Sequence, residues 1–305
     1  MAGSAPTGRV VDIVELLSHP GHEQLRFSDV VDKLGLTQAT AHAILTTLCE
    51  RNWITRDPAS KTYSLGPALA AVGARADLAR PLMHAARSAT HQLRTETGYA
   101  SSVLERLDDT LIVAAHVSVD AATPALGPGD RIPHTPPFGV ALAAWDTPAG
   151  QREWLRRAGD DAELVARLEA VLTKTRQRGF DVDWTTPAMA QAAALVVRLQ
   201  REGVPAQVAE VMNRLLVECT AVGLLDDDDE TARLAHPVAT VAAPILDEQG
   251  FATLILAVHP LQPLRGRQIR SLGERVSAVA ASLSGQRART AASSRRDRDS
   301  RRTPA

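Results

Sequence analysis

The chain has 305 residues, 45% of them hydrophobic and 23% charged, with a formal net charge of −1. That length suits two domains that each bury a core, and the composition is that of an ordinary globular protein. A charge so close to zero excludes a chain-wide electrostatic pull toward nucleic acid, and two distant cysteines, Cys49 and Cys219, exclude a disulfide framework or a cysteine-based zinc site.

Both cysteines fall in apolar, helical settings, so buried free thiols are expected. The opening residues Met1 to Gly8 lack the long apolar core of a secretion signal, and no run reaches membrane-spanning length. The expectation is a cytoplasmic protein with no membrane partner.

In chain order, Val10, Ile13, Val14 and Leu17 repeat at helical spacing and predict a first helix with one apolar stripe. Ser28 is placed to cap a short second helix carrying Val30, Val31 and Leu34, and Gly35 supplies the left-handed position that stops it. Thr37 then caps a third helix whose buried stripe is Ala41, Ile44, Leu45 and Leu48. Its other face carries Gln38, His42 and Thr46, with small Ala39 and Ala43 beside them. Two helices joined by a glycine turn, the second polar on its outer face, make a helix-turn-helix whose second helix can read base edges in a major groove.

Trp53 to Arg56 and Thr62 to Leu65 follow as two short strands around the turn Asp57-Pro58-Ala59-Ser60. Arg56 and Lys61 flank that turn, where they can touch phosphates. Three helices and a basic-tipped hairpin are the winged helix-turn-helix pattern. Within residues 1–70, however, Arg9, Arg26, Lys33, Arg51, Arg56 and Lys61 face seven carboxylates, so any contacts with DNA must be few and local.

The blocks Arg9-Val-Val-Asp-Ile-Val-Glu-Leu-Leu, Val31-Asp-Lys-Leu-Gly-Leu-Thr-Gln-Ala-Thr-Ala-His, and Arg56-Asp-Pro through Tyr63-Ser-Leu-Gly-Pro resemble the isocitrate lyase regulator (IclR) family of bacterial transcription factors. The likeness is close over roughly the first eighty residues and less even beyond. It implies that Thr37, Gln38, Thr40 and His42 contact bases while Arg56 and Lys61 hold phosphates on double-stranded DNA. The family often has an arginine where Ala43 stands, which changes the expected base preference.

Past Gly66-Pro67 the chain is alanine-rich and helical, with stripes Leu69, Val72, Ala76, Ala79 and then Leu82, Ala85, Ala89, Leu93, ending near Gly98. In the family, such a region (67–97) links the domains and helps protomers pair. Ala100 to Leu107 and Thr110 to Val117 read as strands about the Asp108-Asp109 turn. A Pro- and Gly-rich loop leads to a helix Phe138 to Trp145, then a helix Ala162 to Arg178 closed by Gly179. Val238 to Leu246 and Phe251 to Val258 read as central strands buried on both faces, and Leu264 to Ser284 as a closing helix. The expected architecture is α+β: a winged helix-turn-helix (1–66), linker helices (67–97) and a GAF-like effector-binding domain (98–285). After Gly285, arginines among Ser, Thr, Ala and Asp predict a disordered tail over 286–305.

In the family a small molecule binds the second domain. Arg131 to Leu142 is similar to its Leu-Pro-x-His loop, which implies pocket positions at Pro137 and Phe138. Gly179-Phe-Asp-Val-Asp is similar to its Gly-Tyr-x-x-Asp, placing Asp183 at the usual polar contact, and Thr240 takes the pocket position of a Cys or other small residue just ahead of the Val241-Ala-Ala-Pro strand. Departures are Val140 in place of a lysine, Leu256-Ala-Val-His-Pro in place of Ser-x-Ser-Gly-Pro, and a helical insertion over 184–237 with helices Pro187 to Glu202 and Pro205 to Val222. Lost hydroxyls and added apolar surface point to an effector less polar than a small keto acid.

The Asp226-Asp-Asp-Asp-Glu run lacks the alternation of a calcium loop. His116, His134, His236 and His259 stand singly in the sequence, and no catalytic spacing or phosphate-cradling glycine loop occurs. The reading is a non-enzymatic regulator without cofactor or metal. It acts as a homodimer or tetramer on DNA under a small-molecule effector. The alternative is a metabolite sensor of the same fold that does not bind DNA.

Overall fold

A computed structural model describes residues 5–18, 22–119, 127–184 and 234–300, with side chains to residue 285. The insertion helices, the Asp226 to Glu230 run and Cys219 lie outside the described residues. The chain divides into two compact units, 1–81 and 82–305.

In the first unit, α1 (Ala5–Ser18), α2 (Phe27–Leu34) and α3 (Gln38–Glu50) enclose Ile13, Leu17, Val30, Leu45 and Leu48. Each such side chain withdrawn from water contributes roughly 1.5–3 kcal/mol before entropy is counted. Helix α2 begins after Arg26 rather than Ser28. The Asp29 carboxylate accepts the Arg26 backbone N–H at 2.8 Å, so the cap is supplied from inside the helix and Ser28 sits in its first turn. Gly35 ends α2 at φ 59°, where a β-carbon would be strained, and its N–H reaches back to the Val31 carbonyl.

A short β1 (Leu25–Arg26) joins β2 (Ile54–Arg56) and β3 (Thr62–Leu65) in an antiparallel sheet ordered β1-β3-β2. Leu25 and Tyr63 are register partners and both are buried, which fixes the wing to the helical core. Helix α4 (Pro67–Ala79) follows with no buried residue.

The 67–97 stretch expected as a linker therefore divides at Pro81. Its second half, α5 (Pro81–Thr97), buries Met83, Ala86, Ala89 and Leu93 in the second unit's core. There a six-stranded sheet runs in the order β6-β5-β4-β10-β9-β7, every pair antiparallel. Its strands are β4 (Ala100–Leu107), β5 (Thr110–Val117), β6 (Arg131–Pro133), β7 (Asp181–Asp183), β9 (Thr240–Leu246) and β10 (Ala252–His259). A two-stranded ribbon pairs β8 (Ala235–Val238) with β11 (Gln262–Arg265).

The pleat sends alternate residues to opposite cores. Val103, Val241, Ala243, Leu254, Leu256 and Val258 meet α5 and the closing helix α9 (Gly266–Ser300), while Leu104, Ala242, Ile255 and Ala257 meet Leu111, Val113, Ala141 and Leu142 on the other side. Gly273 lets α9 seat directly on Phe180: a β-carbon there would lie 2.4 Å from the ring. Helix α9 continues to Ser300, where composition predicts disorder after Gly285. Extending a helix already docked needs no new nucleus, and Arg and Ala favour it.

On the second face, α6 (Val140–Ala143) is a single turn rather than the helix Phe138 to Trp145, because left-handed Gly139 starts it late. Helices α7 (Pro148–Arg156) and α8 (Ala162–Arg178) pack behind it around Trp154 and Leu168. Thr147 followed by Pro148 is a helix-start signal that the sequence reading passed over; the Thr147 hydroxyl accepts the Gly150 N–H at 3.1 Å. Among the described residues no helix is long and apolar enough to cross a membrane.

Candidate functional site

Two surfaces collect the candidate residues, one in each unit. On α3, the Thr37 hydroxyl caps the helix, accepting the Thr40 backbone N–H at 3.2 Å and donating to the Thr40 hydroxyl at 2.8 Å. That pair is occupied in starting the helix. Gln38 and His42 stand exposed on the outer face while Ala41, Leu45 and Leu48 are buried beneath. His42 Nδ1 is 3.5 Å from the Thr46 hydroxyl, a loose contact that leaves the imidazole able to turn to a base edge.

The wing tip is equally exposed. Asp57 holds the turn by accepting the Ala59 N–H and the Ser60 hydroxyl, each at 2.8 Å, and these bonds keep its carboxyl below the usual range. Lys61 takes a left-handed backbone at φ 57°, and the Arg56 guanidinium lies 5.7 Å from the centre of the Tyr63 ring. The start of α1 adds Arg9, which the sequence reading did not select. With Pro6, Ala39, Thr40, Ala43 and Ile44 it lines an open groove of about 450 Å³ beside α3. Small alanines at 39 and 43 keep that groove open. Cys49, on the inner side of α3, is half-buried rather than buried, and desolvation raises its thiol pKa.

The second surface lies on the α6 side of the large sheet. Asp183 and Thr240 are direct register partners on β7 and β9. Phe138 packs on the apolar cluster of that same face, which includes Leu104, Leu111 and Ala242. Pro137 precedes it, half-buried. Val140, in place of the family lysine, is buried against Trp154 and Leu168, where an ammonium would have no solvation.

The loop bearing Pro137 and Phe138 is fastened at three points. The His134 N–H donates to the Asp109 carbonyl at 2.9 Å, the His134 carbonyl accepts from Arg157 Nη1 at 3.0 Å, and the Phe138 carbonyl accepts from Trp154 Nε1 at 3.0 Å. Gly139 at φ 79° lies so close to the His134 ring that a β-carbon would sit 2.4 Å from it. Burial first, and then the Arg106 and Arg157 charges, lower the His134 pKa to about 4, so its ring is a neutral packing element.

The structure also gathers residues that sequence spacing leaves apart. His259 Nε2 lies 2.8 Å from the Ser102 hydroxyl and its Nδ1 lies 3.1 Å from the Thr240 hydroxyl. His116 is the register partner of Ser102, and its ring is centred 5.8 Å from that of His259. Desolvation, and then His116, lower the His259 pKa to about 3; His116 itself is lowered by burial. Asp181, one pleat from Asp183, is raised to about 6 by burial despite the Arg178 charge. A histidine where the family has glycine was the available sign that this face differs.

Comparison with known proteins finds relatives for the first unit's helix-turn-helix and for the chain as a whole. Residues 7–58 match the family described as the IclR helix-turn-helix domain. The chain is 32% identical over 197 residues to the glycerol operon regulatory protein of Streptomyces griseus, covering 61% of this chain and 76% of the relative. It is 31% identical over 183 residues to the protein of that name from Streptomyces coelicolor, covering 57% and 72% respectively. Among solved structures, an IclR transcriptional regulator from Alicyclobacillus acidocaldarius matches with a TM-score of 0.63 at 20% identity, over 94% of this chain and 100% of that one. An IclR homologue from Microbacterium hydrocarbonoxydans, complexed with 4-hydroxybenzoate, matches at 0.61 and 16%, over 93% and 99%. With a winged helix-turn-helix, a GAF-like second unit and relatives of this kind, the chain belongs to the IclR family of transcriptional regulators.

Proposed function

We propose that this regulator places α3 in the major groove of its operator, with Gln38 and His42 reading base edges and Thr37 and Thr40 fixing the helix start. Arg56 and Lys61 hold phosphates at the wing. The observation that carries the reading is the exposed polar face of α3 above a fully apolar underside. Each good base contact supplies roughly 1–3 kcal/mol of discrimination, so one unit binds weakly and pairing of protomers is required. Helix α4 supports self-association as a dimer or tetramer, since it buries none of its residues and leaves Val72 50% and Leu78 77% exposed.

On this reading a small molecule binds the α6 side of the second unit, near Pro137, Phe138, Asp183 and Thr240. It changes operator affinity by favouring one arrangement of the protein over another. Such a regulator works in the cytoplasm. The rival, a sensor that has lost DNA binding, draws on the charge balance of the first seventy residues. Fluorescence anisotropy on DNA flanking its own gene separates the two. Saturable, salt-sensitive, sequence-selective binding is expected, and equal binding to scrambled DNA at every salt concentration would end the operator reading.

A further inference from the structure

Five polar side chains form a continuous row across adjacent strands of the large sheet. Asp183 on β7 faces Thr240 on β9; Thr240 and Ser102 hold the two nitrogens of His259 on β10; and Ser102 on β4 faces His116 on β5. We infer that the effector site takes a neutral, hydroxyl-bearing molecule on this row and rejects the corresponding carboxylate. The inference rests on the proposed effector face and deepens it by naming the chemistry of the occupant.

No row position is a lysine or arginine. Asp183 stands at one end, and the charge of buried Asp130 acts on His116 at the other. Burial pushes both imidazoles toward the neutral form, against the positive charge that a buried carboxylate needs. An anion here would be desolvated beside the Asp183 carboxylate, and the Arg178 charge at that end of the row is already paired with Asp181 at 3.8 Å. A hydroxyl meets no such penalty. It can donate to the Asp183 carboxylate or to an imidazole nitrogen, and accept from the row's N–H and O–H groups.

His259 is committed on both nitrogens, to Ser102 and Thr240, and so is fixed in place. Among the described residues, His116 Nε2 is buried and has no hydrogen-bond partner, which makes it the nitrogen a ligand would satisfy. The apolar body of the molecule would lie on Ala242, Ala257 and Leu104, toward Phe138.

The test is isothermal titration of the full-length protein with matched alcohol and acid pairs: 4-hydroxybenzyl alcohol with 4-hydroxybenzoate, and glycerol with glycerate. The alcohol of at least one pair is expected to bind at least tenfold tighter than its acid. His116→Leu should weaken that binding at least tenfold, while His116→Gln, which keeps a polar partner, should stay within about threefold. Preference for the acid in both pairs, still sensitive to His116→Leu, would overturn the ligand class and leave the site standing. Binding that ignores both His116→Leu and Thr240→Phe, or no binding by any of the four probes, would overturn the site reading and the inference together.

Discussion

Ser102 and His259 lie 157 positions apart in the chain, yet their side chains meet at 2.8 Å between neighbouring strands. Neither residue belongs to a local motif, and no spacing rule links them. Their meeting follows from the antiparallel pairing of β4 with β10, in which Ala257 is the partner of Ser102 and His259 the next residue on that face. The chemistry of the second unit is thus a product of strand register, whereas that of the first is a product of one helix.

For the helix, Gln38→Ala and His42→Ala should each weaken operator binding about tenfold or more, and relax selectivity at the base they read, because each removes one contact of roughly 1–3 kcal/mol. Competition anisotropy against single-base operator variants measures both effects. A folded double variant that binds as tightly as the parent would remove α3 as the reader.

Arg56→Ala and Lys61→Ala should weaken binding to all sequences alike. Each should also lower the slope of log K against log salt by about one per protomer, as expected for one fewer neutralised phosphate. An unchanged slope would place the wing off the DNA.

Trp154→Phe removes the indole N–H that binds the Phe138 carbonyl while keeping most of the apolar contact around a fully buried side chain. Leaving that carbonyl unsatisfied should cost about 1–3 kcal/mol. In denaturant unfolding the transition of the second unit should shift, and that of the first should not.

Gly273→Ala should destabilise the second unit by more than an exposed helical Gly→Ala change would stabilise it, because the added methyl would lie 2.4 Å from the Phe180 ring. Gly8→Ala on α1, where nothing lies within 4 Å of the added carbon, is the control and should be neutral or slightly stabilising. Thermal melts of the two variants measure the contrast.

Stability should fall as pH drops below about 6.5. His134 and His259 have folded pKa values near 4 and 3, so the unfolded chain takes up protons that the folded one refuses. Each contributes at most about 1.4 kcal/mol per pH unit in that window. Asp181, raised to about 6, works in the opposite sense, since below that pH the folded state holds a proton that the unfolded chain releases until about 4. Two histidines set against one carboxyl leave about one net proton between the states, so the loss should run at about 1.4 kcal/mol per pH unit from pH 6 to 4 and be shallower above 6. His134→Asn should flatten the profile in urea melts.

What could be read from the sequence was mostly local. Thr37 and Gly35 mark helix ends through groups within a few residues of themselves, and both hold those places. Helix α8 and strands β4 and β5 likewise have the bounds their patterns predict. Ser28 misled because Asp29 satisfies the Arg26 N–H instead, and two candidate caps one residue apart look alike in a sequence. Strand β1 is two residues long, too short for any period to show. Likeness to a family assigns Thr240 and Asp183 to one pocket, and their register pairing puts them on one face. The imidazoles that complete their row have no such assignment, because pairing across sheet strands leaves no mark on local spacing.

Strand β4 carries a further consequence for assembly of the second unit. Ser101 donates its hydroxyl to the Thr90 carbonyl of α5 on one side of the sheet, and Ser102 meets His259 on the other. A one-residue slip of this strand would turn both hydroxyls to the wrong side and strand Val103 and Leu104 among unsuitable neighbours. Adjacent serines thus act as a two-sided proofreading mark: misaligned chains forfeit two buried polar links at once and are driven back to the correct pairing.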